Sequence, residues 1–168
     1  MAEHADLIVV GSSRRRELGR PLPGTTAERL LHDAPCAVAV PPPGYTGGDI
    51  RRIGVAYDGS PEADAALRAA ESLARELSAA LTVYCLGETP WIPVGVGAEV
   101  AASTRRYRPE MQLVHAEPAE EIAGRAYGVL DLLFIHRALL GNVSGALVRA
   151  AGCPVVVTPR AAMAPHRP

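Results

Sequence analysis

Short apolar runs set off by glycine and proline recur along the chain, and the stretches between them carry apolar residues at helical spacing. Leu7 to Val10 and Ala37 to Val40 are such runs, and Ala27, Leu30 and Leu31 fall on one face of a helix over Thr25 to His32. This predicts strand, loop, helix, strand. Pro41-Pro-Pro-Gly44 with Gly47 and Gly48 reads as a stiff and then flexible linker, residues 43–50. Ile53 to Tyr57 is the next predicted strand. Ser60 as N-cap, Pro61 at the first helical position and Asp64 in the first turn then open a helix to about Leu77. Its apolar stripe (Ala63, Ala66, Leu67, Ala70, Leu73, Ala74, Leu77) suits close packing on a sheet. Further strands are predicted at Ala80 to Leu86, Met111 to His115, Leu132 to Ile135 and Val155 to Thr158. Between them the pattern predicts a loop over 87–93, a weakly patterned helix over 96–106, and helices over Pro118 to Tyr127 and Asn142 to Ala151. Alternating strands and helices built on short apolar runs predict an α/β fold with a parallel sheet covered on both faces.

One phrase occurs twice. Asp6-Leu-Ile-Val-Val-Gly11, Leu22-Pro-Gly24-Thr25 and Cys36-Ala-Val-Ala-Val40 return as Asp131-Leu-Leu-Phe-Ile-His136, Leu140-Gly141-Asn142 and Cys153-Pro-Val-Val-Val157. Gly24 to Gly141 and Cys36 to Cys153 are each 117 residues apart, whereas Asp6 to Asp131 is 125, so the second copy is eight residues shorter between strand and helix. A period of that length is a domain repeat and not a solenoid. Residues 1–42 are therefore expected to be the closing third of one unit, 51–160 a nearly whole second unit, and 161–168 a disordered tail. In this reading Val38 to Val40 pairs with Val155 to Val157, and the uncovered edge of Leu7 to Val10 promotes a homodimer through strand edges.

Composition narrows the function classes. The 168 residues are 48% hydrophobic with a formal net charge of −1, enough for a sizeable core and too neutral for nucleic acid to be expected as a partner. All 17 basic residues are arginine, a bias read as compositional. No apolar run reaches the roughly 18 residues of a membrane span, and the start lacks signal-peptide order, so no membrane partner and a cytoplasmic location are expected. Cys36, Cys85 and Cys153 show no metal-ligand spacing and read as buried packing residues. A bridge between Cys36 and Cys153 is conceivable if their strands are neighbours.

Two places can carry chemistry. Asp58 ends a strand before Gly59-Ser60-Pro61, where ligands sit in open α/β sheets; its carboxylate can accept from a ribose or an adenine amino group, or close the turn on its own backbone. The loops after the repeated strands, with Gly11, Arg14, Gly24 and Thr25 in one copy and His136, Gly141, Asn142, Val143 and Ser144 in the other, lead to helix starts whose free N–H groups favour phosphate. They match neither a P-loop nor Gly-x-Gly-x-x-Gly. His136 at a strand end reads as hydrogen-bonded filler, and Arg14 to Arg16 as a solvated face.

Val55-Ala-Tyr-Asp58-Gly-Ser-Pro61, Leu81-Thr-Val-Tyr84, Glu117-Pro-Ala-Glu-Glu-Ile122, Asp131-Leu-Leu-Phe-Ile135, Leu140-Gly-Asn-Val-Ser144 and Cys153-Pro-Val-Val-Val157 resemble, in order, the universal stress protein family. The resemblance implies an open five-stranded parallel sheet in the order 3-2-1-4-5, helices on both faces, pairing through fifth strands, and ATP or another adenine nucleotide as ligand. It also implies a contact set of Ala56, Tyr57, Asp58, Ile135, His136, Gly141, Asn142, Val143 and Ser144, with Gly11, Arg14, Gly24 and Thr25 in the first copy. The family's phosphate pattern is Gly, two residues, Gly, nine residues, Gly, then Ser or Thr. Arg14 stands for its middle glycine in the first copy; in the second, His136 stands for the first, Asn142 for the hydroxyl residue, and the middle glycine is missing. The expected function is a regulatory module that binds an adenine nucleotide weakly, needs no metal, and lacks robust catalysis. The alternative is a nucleotide-free dimerisation or scaffold protein.

Overall fold

The computed structural model describes residues 5–11, 16–17, 20–21, 25–86, 110–114, 118–140, 147–148 and 150–159. The loop predicted over 87–93, the helix over 96–106, the start of the last helix and the tail 161–168 lie outside these residues.

The strands are β1 (Leu7–Val9), β2 (Arg16–Glu17), β3 (Arg20–Pro21), β4 (Ala37–Val40), β5 (Arg52–Tyr57), β6 (Ala80–Leu86), β7 (Glu110–Val114), β8 (Leu132–His136) and β9 (Val155–Thr158). Helices α1 (Thr25–Asp33), α2 (Pro61–Leu77) and α3 (Pro118–Ala126) connect them, with a 3-10 turn at Arg137–Leu140 and helical backbone at Leu147, Val148 and Ala150. β2 and β3 form a small antiparallel ladder of their own.

Seven strands make one sheet in the order β1-β4-β9-β8-β5-β6-β7. From β7 to β9 every pairing is parallel, which is the 3-2-1-4-5 arrangement of a five-stranded unit. The α/β class and the parallel unit are as expected. The N-terminal strands continue the same sheet, through the pairing expected from the sequence. Val38 pairs with Val157, Ala39 with Val156 and Val40 with Val155, antiparallel, so the two copies join through their last strands. β1 then pairs parallel with β4, and the Val10 N–H donates to the Ala39 carbonyl at 2.9 Å.

Strands covered on both faces alternate their side chains between two cores. One face buries Ala56, Tyr84, Leu133, Ile135, Val155, Val157, Val38 and Val40 against Leu31 of α1, Ile122 and Ala126 of α3, and Leu147. The other buries Ile53, Val55, Tyr57, Leu81, Val83, Phe134 and Val156 against Ala63, Ala66, Leu67, Ala70 and Ala74 of α2. Each fully buried Val, Leu or Ile side chain contributes about 1.5–3 kcal/mol, so both cores hold the sheet. The alanines of α2 let the helix lie close to it.

Antiparallel pairing of β4 with β9 rules out a bridge between Cys36 and Cys153 within the chain. Each cysteine precedes its own strand, so the two fall at opposite ends of the pair, separated by roughly 3.4 Å per residue along the strands. Both thiols are free; Cys153 is buried as expected, while Cys36 and Cys85 are only half-buried. Among the described residues no helix is long and apolar enough to cross a membrane.

Candidate functional site

β5 lies between β6, which follows it in sequence, and β8, which does not. The connections reverse there, and the crevice at the carboxyl ends of the strands at such a point is where open α/β sheets bind ligands. Asp58 sits at that crevice, one residue past the end of β5. Gly59 turns the chain with φ +82°, a conformation that L side chains rarely adopt. Asp58 Oδ1 then accepts the Ser60 N–H at 3.0 Å, and Ser60 Oγ accepts the Ala63 N–H at 3.1 Å, capping α2 as its sequence predicts. The carboxylate thus closes the turn while its side chain keeps 31% exposure.

His136 ends β8 on the neighbouring strand. Its side chain is fully buried, and Nε2 lies 3.2 Å from Asp58 Oδ1. Neither ring nitrogen makes an aligned hydrogen bond to a described residue, so this is a short polar contact without hydrogen-bond alignment. A buried polar atom without an aligned partner costs about 1–3 kcal/mol, which marks the position as one that packing alone does not favour. The sequence reading of His136 as hydrogen-bonded filler is corrected to this extent: it fills, without an aligned hydrogen bond. The imidazole beside it holds the Asp58 carboxyl well below the usual carboxylate range; partial burial opposes this and the Ser60 contacts reinforce it.

The surroundings fix these two residues. The Tyr57 hydroxyl donates to Asp64 Oδ1 at 2.8 Å, and burial, followed by that bond, pushes the phenol above its ordinary range. Thr158 pairs with His136 across β8 and β9, and its Oγ1 donates to the Ile135 carbonyl at 3.3 Å. Immediately after His136, an Arg137 guanidinium nitrogen donates to the Ala34 carbonyl at 2.7 Å, tying the 3-10 turn to the end of α1. Asp64, Thr158 and Arg137 were not picked out from the sequence. Asp64 was legible only as a first-turn acid, and the Arg137 partner lies 103 residues away.

Five of the sequence-predicted residues come together here: Ala56, Tyr57, Asp58, Ile135 and His136. Ala56 and Ile135 turn their side chains into the core opposite Tyr57, which leaves them only backbone to offer a ligand. Gly141, Asn142, Val143, Ser144, Arg14 and Gly24 lie outside the described residues. Gly11 and Thr25 do not join this site. β1 runs with β4 and therefore against β9, so the loop after β1 opens at the end of the sheet where β5, β8 and β9 begin. Gly11 and Thr25, from the first copy, thus lie at the other end of the sheet from Asp58 and His136. No group of three or more potential metal ligands occurs among the described residues.

The family model for the universal stress protein family matches residues 1–42 and 49–131, one segment on each side of the linker. Among curated proteins, none matches the chain. A universal stress protein from Archaeoglobus fulgidus aligns with a TM-score of 0.76 at 20% identity, over 93% of this chain and 63% of that one. A functionally unknown protein from Pseudomonas aeruginosa gives 0.63 at 19%, over 92% of this chain and 63% of that one. The chain therefore spans less than two thirds of the length of these two structures. A universal stress protein solved in complex with cAMP aligns at 0.53 and 21% identity, over 66% of this chain and 98% of that one. At these identities the structures show a shared fold. The family model, matching most of the residues in two segments, shows more: the chain belongs to the universal stress protein family.

Proposed function

We propose that the chain is a regulatory module that binds an adenine nucleotide, weakly and without robust turnover, at the crevice between the ends of β5 and β8. The observation that carries this reading is Asp58: a partly exposed carboxylate, held ionised by its surroundings, at the point where the strand connections reverse. Such a group accepts hydrogen bonds from ribose hydroxyls or an exocyclic amine. The similar structure in complex with cAMP supports the ligand class. Calorimetric titration with adenosine, AMP, cAMP and ATP tests the proposal. Binding in the roughly micromolar to millimolar range is expected, and no heat from any of the four at millimolar concentration would reject it.

A second reading has its own observation. The His136 imidazole fills the end of β8 completely, as it would in a scaffold whose ligand site has decayed. An adenylate that copurifies with the protein decides against that reading. In either case self-association belongs to the proposal: Leu7 and Val9 are exposed on the edge strand β1, and a strand edge of this kind pairs readily. Light scattering should report a dimer that Val9→Glu converts to a monomer, and a wild-type monomer at high concentration would overturn this part.

A further inference from the structure

We infer that His136 is a positioning residue: its buried imidazole grips Asp58 by Oδ1 and thereby presents the rest of the carboxylate to the ligand. This rests on the adenine nucleotide reading for the ligand, although the grip itself does not depend on it.

Three independent features converge on His136. The first is placement. β8 pairs with β5 in parallel, with Val55 beside Phe134, so the register carries His136 alongside Tyr57 and one residue short of Asp58. The ring consequently shares the face of Tyr57 and α2, where the Asp58 turn begins. The second is the division of the carboxylate. Both contacts made to Asp58, from the Ser60 N–H at 3.0 Å and from His136 Nε2 at 3.2 Å, fall on Oδ1, while 31% of the side chain stays exposed. A carboxylate approached at one oxygen from two directions is restricted in its rotation, and ordering a group before a ligand arrives reduces the entropy lost on binding. The third is the state of the ring itself. It is fully buried, and neither nitrogen has an aligned hydrogen bond among the described residues, so nothing else among them accounts for a polar side chain at this depth.

The titratable groups facing this pair from the elements packed around it are Tyr57 and Asp58 at the end of β5 and Asp64 on α2; β9 contributes the hydroxyl of Thr158. Asp64 is engaged by the Tyr57 hydroxyl, which leaves Asp58 as the partner of the ring.

Carboxyl-carbon NMR titration of Asp58 in the ligand-free wild type, His136→Ala and His136→Gln, run beside AMP and adenosine titrations of the same proteins, tests the inference. In His136→Ala the Asp58 titration should move up toward the ordinary carboxylate range and affinity should fall roughly tenfold. His136→Gln, which keeps the volume and a donor, should restore much of the affinity. An unmoved Asp58 titration in His136→Ala overturns the inference; if that variant does not fold, an unmoved titration in His136→Leu, which offers no donor, overturns it equally. Wild type that binds no nucleotide rejects the proposed function alone, because the ligand-free titration still reads the grip. A moved titration with unchanged affinity rejects positioning for the ligand.

Discussion

Asp58 serves two ends with one carboxylate, and the two separate on substitution. In Asp58→Asn the amide oxygen can still accept the Ser60 N–H, so the turn into α2 should persist, whereas the charge would be gone. A hydrogen bond to a charged group is worth about 1.5–3 kcal/mol, so nucleotide affinity should drop roughly 10- to 100-fold by calorimetry with little change in the circular dichroism of the fold. Acid should act through the same residue. Asp58 and Asp131 both have carboxyls lowered in the folded state, Asp58 chiefly by His136 and Asp131 chiefly by Arg52. The unfolded chain then binds protons at higher pH than the folded one. The stability these groups contribute is complete above the unfolded carboxylate range, about pH 4, and is lost as pH falls through the folded values. Urea midpoints should therefore fall on acidification below about pH 4, and fall less steeply in Asp58→Asn than in wild type. An equal slope in both would remove Asp58 from this account. At this scale Asp58 was legible because strand, Asp-Gly-Ser-Pro and helix are adjacent in sequence. The pairing with His136 was not, because 78 residues separate the two.

At the scale of the element, α2 is the best-determined piece of the chain. Its cap, its proline and its small-residue stripe are all local, and the helix found, Pro61–Leu77, ends where the pattern ends. Ser60→Ala should cost about 1 kcal/mol by removing the hydrogen bond to the Ala63 N–H. Ser78, at φ 53°, holds the left-handed position at the far end, and Ser78→Gly should return about 0.5–1 kcal/mol. A thermal melt of the two variants checks both signs at once. Gly54 in β5 is constrained by its neighbours: an added Cβ would meet Leu130 Cδ1 and, at 3.0 Å, Tyr84 Cε2. Gly54→Ala should therefore destabilise by about 1–3 kcal/mol, and a neutral result would mean that Leu130 repacks freely. None of this shows in the sequence, where Gly54 is an unremarkable interruption of a strand.

For the whole molecule, the question is what the first 42 residues do for the rest. β4 covers the open edge of β9, and Val38, Val40 and Leu31 are buried in the same core as Val155 and Val157. With each such side chain worth about 1.5–3 kcal/mol and domains stable by only about 5–15 kcal/mol, removing residues 1–42 should bring the remainder close to its threshold. The uncovered β9 edge should then pair between copies. Light scattering and urea titration of the truncated chain should show association together with a lower midpoint; a stable monomer would mean that the N-terminal strands are dispensable.

The order of elements, the ends of α2, the pairing of Val38 to Val40 with Val155 to Val157 and the position of Asp58 were determined by the sequence itself. They rest on contacts between residues near in the chain or on a repeat that can be read by eye. The direction of that pairing was decided only in three dimensions. Because β4 runs against β9, β1 and β8 finish at opposite ends of one sheet, and Arg137, just past β8, meets Ala34, just before β4. A strand's apolar pattern reads the same whichever way its neighbour runs, so no periodicity could have told these apart.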